Sequence, residues 1–126
     1  MKFTLVLAIF ALIFAEASLG DYIGCNTTQD LAAFQKEWDT FHGKLDKCAT
    51  RCLAQYNCAN ACVKRELGLT AECSSCFANN IVCTATKCMS ECVADHSSEK
   101  CMNCYNEKCY PEVLVCANVD PKVLPP

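Results

Sequence analysis

Two cysteines four residues apart on an α-helix share a face, with Cβ atoms about 5–6 Å apart, whereas a disulfide needs about 3.5–4.5 Å between those atoms. A C-x-x-x-C pair on an intact helix therefore cannot close on itself and must reach a helix packed alongside. The chain carries this spacing at Cys48/Cys52, Cys58/Cys62 and Cys88/Cys92. Around these pairs stand Cys25, Cys73, Cys76, Cys83, Cys101, Cys104, Cys109 and Cys116, making fourteen cysteines in 126 residues. More than one residue in ten is a cysteine, above the ~8–10% that marks a disulfide scaffold. The even count fits seven bridges.

Such bridges require an oxidising route, and the N-terminus supplies one. The stretch MKFTLVLAIFALIFAEASLG has Lys2, an apolar run from Leu5 to Phe14 and small residues at Ala15 and Ala17, the layout of a secretory signal peptide. Residues 1–17 are read as that leader, with cleavage after Gly20 as the alternative. Residues 18–126 are read as one disulfide-rich helical domain with a flexible C-terminal tail, 117–126. The leader's apolar run is shorter than the roughly 20 residues that span a bilayer, so a secreted, extracellular protein without membrane insertion is expected. A net charge of −3 with no basic cluster argues against nucleic acid and against lytic attack on anionic membranes. Cysteine aside, the apolar content is lean and rich in alanine, so crosslinks worth about 2–5 kcal/mol each are expected to supply what burial does not.

Periodicity predicts an all-α fold of four to five helices. Leu31, Phe34, Trp38, Phe41, Leu45, Cys48 and Cys52 recur at alternating steps of three and four, one face of a single long helix between Thr27 and Tyr56. Thr27 is placed to cap it, with Asp30 in the capping-box position, and Gly43 is its weak point. A second helix fits Cys58 to Leu67 and stops at Gly68. Thr70 caps a third that runs to about Val93, with Asn79-Asn80 as a candidate interruption. Ser97 or Ser98 precedes a fourth through Cys101, Cys104 and Cys109, which Pro111 either ends or follows with a short turn reaching Cys116. No segment alternates as a strand would.

The spacing also suggests repetition. Cys52 to Cys83 reads C-x5-C-x3-C-x10-C-x2-C-x6-C, and Cys83 to Cys109 reads C-x4-C-x3-C-x8-C-x2-C-x4-C. This predicts one helical-pair unit used twice. Within Cys48 to Cys62, the five-residue LAQYN is long enough for an antiparallel turn between helices, which allows an inner bridge Cys52–Cys58 and an outer bridge Cys48–Cys62. Pairing between repeats competes with that arrangement. The fifteen-residue stretch resembles the plant α-hairpinins, which use two C-x-x-x-C helices in this nested way; the resemblance is local and brings no function with it.

Chemistry-bearing residues are few. Cys73-x2-Cys76 and Cys101-x2-Cys104 have zinc-knuckle spacing, but in an exported chain the same sulfurs are expected in disulfides, and no strand precedes either pair as a redox motif would require. Neither a metal nor a cofactor is expected. His42 and His96 are the two histidines. Secreted phospholipases A2 share the size and cysteine content, yet their catalytic histidine sits in C-C-x-x-H-D; here the order is Asp95-His96 without adjacent cysteines, so that chemistry does not carry over. Ser90, Ser97 and Ser98 flank His96, and DHSSEK reads as a polar turn that caps the next helix. Asn26-Thr27-Thr28 is a glycosylation sequon, and Lys64-Arg65 is read as a solvated helical face. The stripe Phe34, Trp38, Phe41 is core, a partner surface, or the lining of a cavity for a small apolar ligand. The expected function is non-enzymatic: a rigid helical surface shown to an extracellular protein or receptor, as in signals, effectors, inhibitors and venom components. A carrier of a small apolar ligand is the alternative, and a secreted hydrolase stands behind both.

Overall fold

The computed structural model describes residues 24–126, and the leader falls outside them. Seven α-helices and no strand appear among the described residues: α1 (Thr28–Lys36), α2 (Phe41–Cys52), α3 (Tyr56–Leu67), α4 (Ala71–Lys87), α5 (Met89–Cys92), α6 (Glu99–Lys108) and α7 (Tyr110–Ala117), with a 3₁₀ turn at Pro121–Val123. The all-α, disulfide-rich class is as expected. Two breaks raise the helix count above four to five.

The first break divides the expected long helix, at residues 37–40 rather than at Gly43, which lies inside α2. Glu37 organises the turn: its carboxylate accepts from the Thr40 hydroxyl at 2.7 Å and from the Lys44 ammonium at 2.6 Å, while its carbonyl accepts from the Thr40 N–H at 2.9 Å. The turn sends Phe34 and Phe41 into the interior and leaves Trp38 partly outside. The second break ends α4 at Cys88. Asn79-Asn80 does not interrupt α4, but the hydroxyls of Thr84 and Thr86 donate to the carbonyls of Asn80 and Val82, at 3.0 and 2.8 Å. Such back-bonding loosens the i→i−4 ladder, and the helix resumes as α5. The other ends follow their signals. Thr70 and Ser98 accept from the N–H groups of Cys73 and Cys101, and Gly68 adopts φ +67° beyond α3.

All fourteen cysteines are paired, and no bridge crosses another. Cys25–Cys73 encloses Cys48–Cys62, which encloses Cys52–Cys58. Cys76–Cys116 encloses Cys83–Cys109, then Cys88–Cys104, then Cys92–Cys101. The nested bridges of α2 and α3 match the local α-hairpinin pattern. The two-unit repeat does not appear: Cys58 and Cys62 bond back to α2, whereas their counterparts Cys88 and Cys92 bond forward to α6. Each C-x-x-C pair is also split. Cys73 bonds Cys25, while Cys76, three residues on along α4, bonds Cys116.

The main interior gathers α1 to α4 with α7. Phe34, Phe41 and Phe77 meet edge to face, with centroids 5.6, 6.0 and 4.9 Å apart, the preferred geometry for aromatic pairs. Val63, Leu67, Leu69, Ile81 and Val113 extend this core. Asp30 is fully buried, and its carboxylate accepts from the Thr27 hydroxyl, the Thr70 N–H and the Thr70 hydroxyl at 2.7, 2.8 and 2.9 Å. The residue expected only to cap α1 therefore also clamps the start of α4. Gly24 has φ +56°, and a Cβ there would collide with the Ala117 carbonyl, which accepts the Cys25 N–H at 2.7 Å. Residues 117–126, expected as a flexible tail, instead fold back: Asp120 caps the 3₁₀ turn, that turn packs on α1, and Leu124 joins the core.

Candidate functional site

The α5–α6 hairpin is built unlike the rest. Its buried cluster consists of Cys88, Cys92, Cys101 and Cys104 alone. With its inner side given to sulfur, α5 turns Met89 and Val93 outward at 59% and 72% exposure. These two are four residues apart and so lie on one face. The hairpin tip is polar: Asp95 accepts from the Ser97 N–H and hydroxyl at 2.9 and 2.7 Å, bonds that hold its carboxyl below the usual range. His96 reaches back to Asp46 of α2, with Nδ1 and Oδ1 3.7 Å apart.

Between this hairpin and α2 runs a groove of about 450 Å³, within the ~300–1,000 Å³ of small-molecule sites. Helix α2 contributes Phe41, His42 and Leu45, and Trp38 stands in the turn before it. Opposite them, Met102, Tyr105 and Asn106 lie at i, i+3 and i+4 on one face of α6. Phe77, Tyr110 and Val113 also line it, as do Pro121, Lys122, Leu124, Pro125 and Pro126 near the C-terminus. Tyr105 is tied to the core, its hydroxyl oxygen accepting a long bond of 3.5 Å from Asn80 Nδ2. Burial pushes its pKa up to about 12, aided by Tyr110 and opposed by the Asn80 bond, so the phenol stays protonated at neutral pH. Asn80 Oδ1 is buried without a hydrogen-bond partner among the described residues, and Asn80 also lines a cleft of about 300 Å³ between α4 and α7, where Lys87 and Glu112 pair at 3.0 Å.

The aromatic stripe thus separates. Phe34 and Phe41 are core, Phe41 touching the groove as well, while Trp38 is 39% exposed at the groove's edge. Periodicity could not reveal Tyr105 and Tyr110, because Cys83–Cys109 and Cys76–Cys116 bring α6 and α7 onto α4. Asn26 is exposed beside the buried Cys25. Lys64 and Arg65 are exposed in the last turn of α3, Arg65 lying 3.6 Å from Glu66. Among the described residues neither histidine hydrogen-bonds a serine; Ser97 donates to Asp95, and Ser98 caps α6. The sulfurs of both C-x-x-C pairs are disulfide sulfurs.

No described helix is long and apolar enough to cross a membrane. Seven disulfides point to an oxidising, extracellular or secreted environment. No protein-family model, curated protein or solved structure matches the chain, and the functional reading rests on the molecule's own chemistry.

Proposed function

We propose that this cysteine-rich protein is secreted and non-enzymatic, and that it presents a rigid helical surface to an extracellular protein target. The observation that carries this reading is the α5–α6 hairpin, in which two bridges replace an apolar interior while Met89 and Val93 face solvent. A hairpin held only for its own stability gains nothing from exposed apolar groups, whereas such groups desolvate well at the centre of an interface. Because the backbone beneath them is fixed covalently, little conformational entropy is lost on docking. Asn26, exposed at the start of α1, is the proposed glycan site of the exported form.

A panel of extracellular receptors and enzymes tests the reading. The expected outcome is saturable binding to a defined member, lost in a Met89→Asp/Val93→Asp variant whose circular dichroism is unchanged. Turnover of a substrate by the pure protein, abolished by His96→Ala, would overturn it. Intact mass of the secreted protein, before and after reduction, reads the cleavage point, the seven bridges and the glycan separately.

A further inference from the structure

We infer that the groove between α2 and α6 is a binding site for a small monocarboxylate with an apolar body. This is independent of any macromolecular target of α5. The apolar part of the ligand is defined by the walls, where Trp38, Phe41, Phe77, Tyr105 and Tyr110 present ring surface. Rings of this kind gain most from burying carbon.

The head group is defined by charge. The chain is acidic, with 14 Asp and Glu against 11 Lys and Arg, yet among the described residues no Asp or Glu lines the groove, whereas Lys122 and His42 do. No carboxylate lies within ion-pairing distance of the Lys122 ammonium among the described residues. The neighbouring Asp120 is used otherwise, accepting the Lys122 backbone N–H at 2.9 Å. The site therefore joins a carbon-rich lining to a donor-only cation among its lining residues. An uncharged alcohol would use the rings but not the ammonium, and a cationic amphiphile would meet Lys122 head on.

Trp38, the chain's one tryptophan, sits in the groove wall and reports occupancy directly. Its emission is to be followed during titration with decanoate, decanol and decylammonium, each below its aggregation limit. The expected result is a saturable change with decanoate, weaker binding of decanol, and the weakest of decylammonium. Lys122→Glu, on an exposed turn, should weaken decanoate on the order of tenfold and leave decanol as it was, while Lys122→Arg should retain decanoate binding. Flat titrations with all three overturn the site. Binding of decanol or decylammonium as tight as that of decanoate, or indifference of decanoate to Lys122→Glu, overturns the assignment of the head group.

Discussion

The two helical hairpins with nested bridges solve one problem with different materials. Helices α2 and α3 are joined by Cys48–Cys62 and Cys52–Cys58, and they also contribute Phe41, Leu45, Val63 and Leu67 to the main core. Helices α5 and α6 are joined by Cys88–Cys104 and Cys92–Cys101, and those four cysteines are their entire buried cluster. In the first hairpin the bridges reinforce burial; in the second they replace it. Freed from supplying an interior, α5 exposes its apolar side chains and α6 lends Met102 and Tyr105 to the groove. Function, on the reading above, concentrates where sulfur has taken over the work of the core.

Removing sulfur from the second hairpin is the strongest test. Replacing Cys88, Cys92, Cys101 and Cys104 by alanine should unfold residues 89–104 locally, because about 2–5 kcal/mol per bridge is lost with no apolar cluster to offset it. Hydrogen exchange read by peptide should show α5 and α6 unprotected while α3 and α4 stay protected. Equal loss of protection in α3 and α4 would break the distinction. The converse is Phe77→Ala, which leaves all seven bridges intact but opens the aromatic cluster; the expected cost is about 3–5 kcal/mol. Thermal melting should fall strongly, with α5 protected up to the global transition.

The same contrast explains how much could be read from the residues alone. Helix ends were legible wherever a local signal sets them: Thr70, Ser98 and Gly68 act as caps through bonds within three or four residues. The break at residues 37–40 was not, because it depends on a carboxylate, a hydroxyl and an ammonium converging, whereas the periodic pattern runs on through it. Pairing was legible for Cys48 to Cys62, where the turn is short. For the second set a usable signal was present but read with the wrong symmetry. From Cys76 to Cys92 the cysteines advance by 7, 5 and 4 residues, and from Cys101 to Cys116 by 3, 5 and 7. Apart from the innermost step, 4 against 3, that is a mirror, as two antiparallel helical legs joined by rungs require, since each step up one leg must nearly match the step down the other. Reading the spacing as a translation produced a repeat that the bridges do not form. The groove was out of reach because its walls come from α2, α6 and the C-terminal residues, brought together by long-range bridges.

Acid sharpens the comparison from the body's side. The Lys44 bond, then the Thr40 bond, hold the Glu37 carboxyl below its ordinary value of 4.5, outweighing the opposing effect of burial. The folded protein therefore binds this proton less readily than the unfolded chain does. Its contribution to stability is present above pH 4.5 and is lost as the pH falls through the depressed folded value. Trp38 adjoins Glu37, so its emission should report the change in acid, and Glu37→Gln should remove that component. Acid sensitivity unaltered in Glu37→Gln would show that the turn is not held by this carboxylate.

The smallest expected effect is a gain. Gly43 lies inside α2, where a Cβ would meet none of the described residues within 4 Å and no left-handed φ is required, so none of them opposes alanine. Glycine is about 1 kcal/mol less favourable than alanine in a helix interior, chiefly because the unfolded chain loses more freedom. Gly43→Ala should thus raise the melting temperature by about 4 °C for that ~1 kcal/mol. Its value lies in where the gain goes. If the bodies of α2 to α4 open as one unit and the α5–α6 hairpin as another, slower exchange should appear in the first alone. Slower exchange in α5 and α6 as well would mean that the two regions unfold together, and that the covalent hairpin leans on the aromatic core after all.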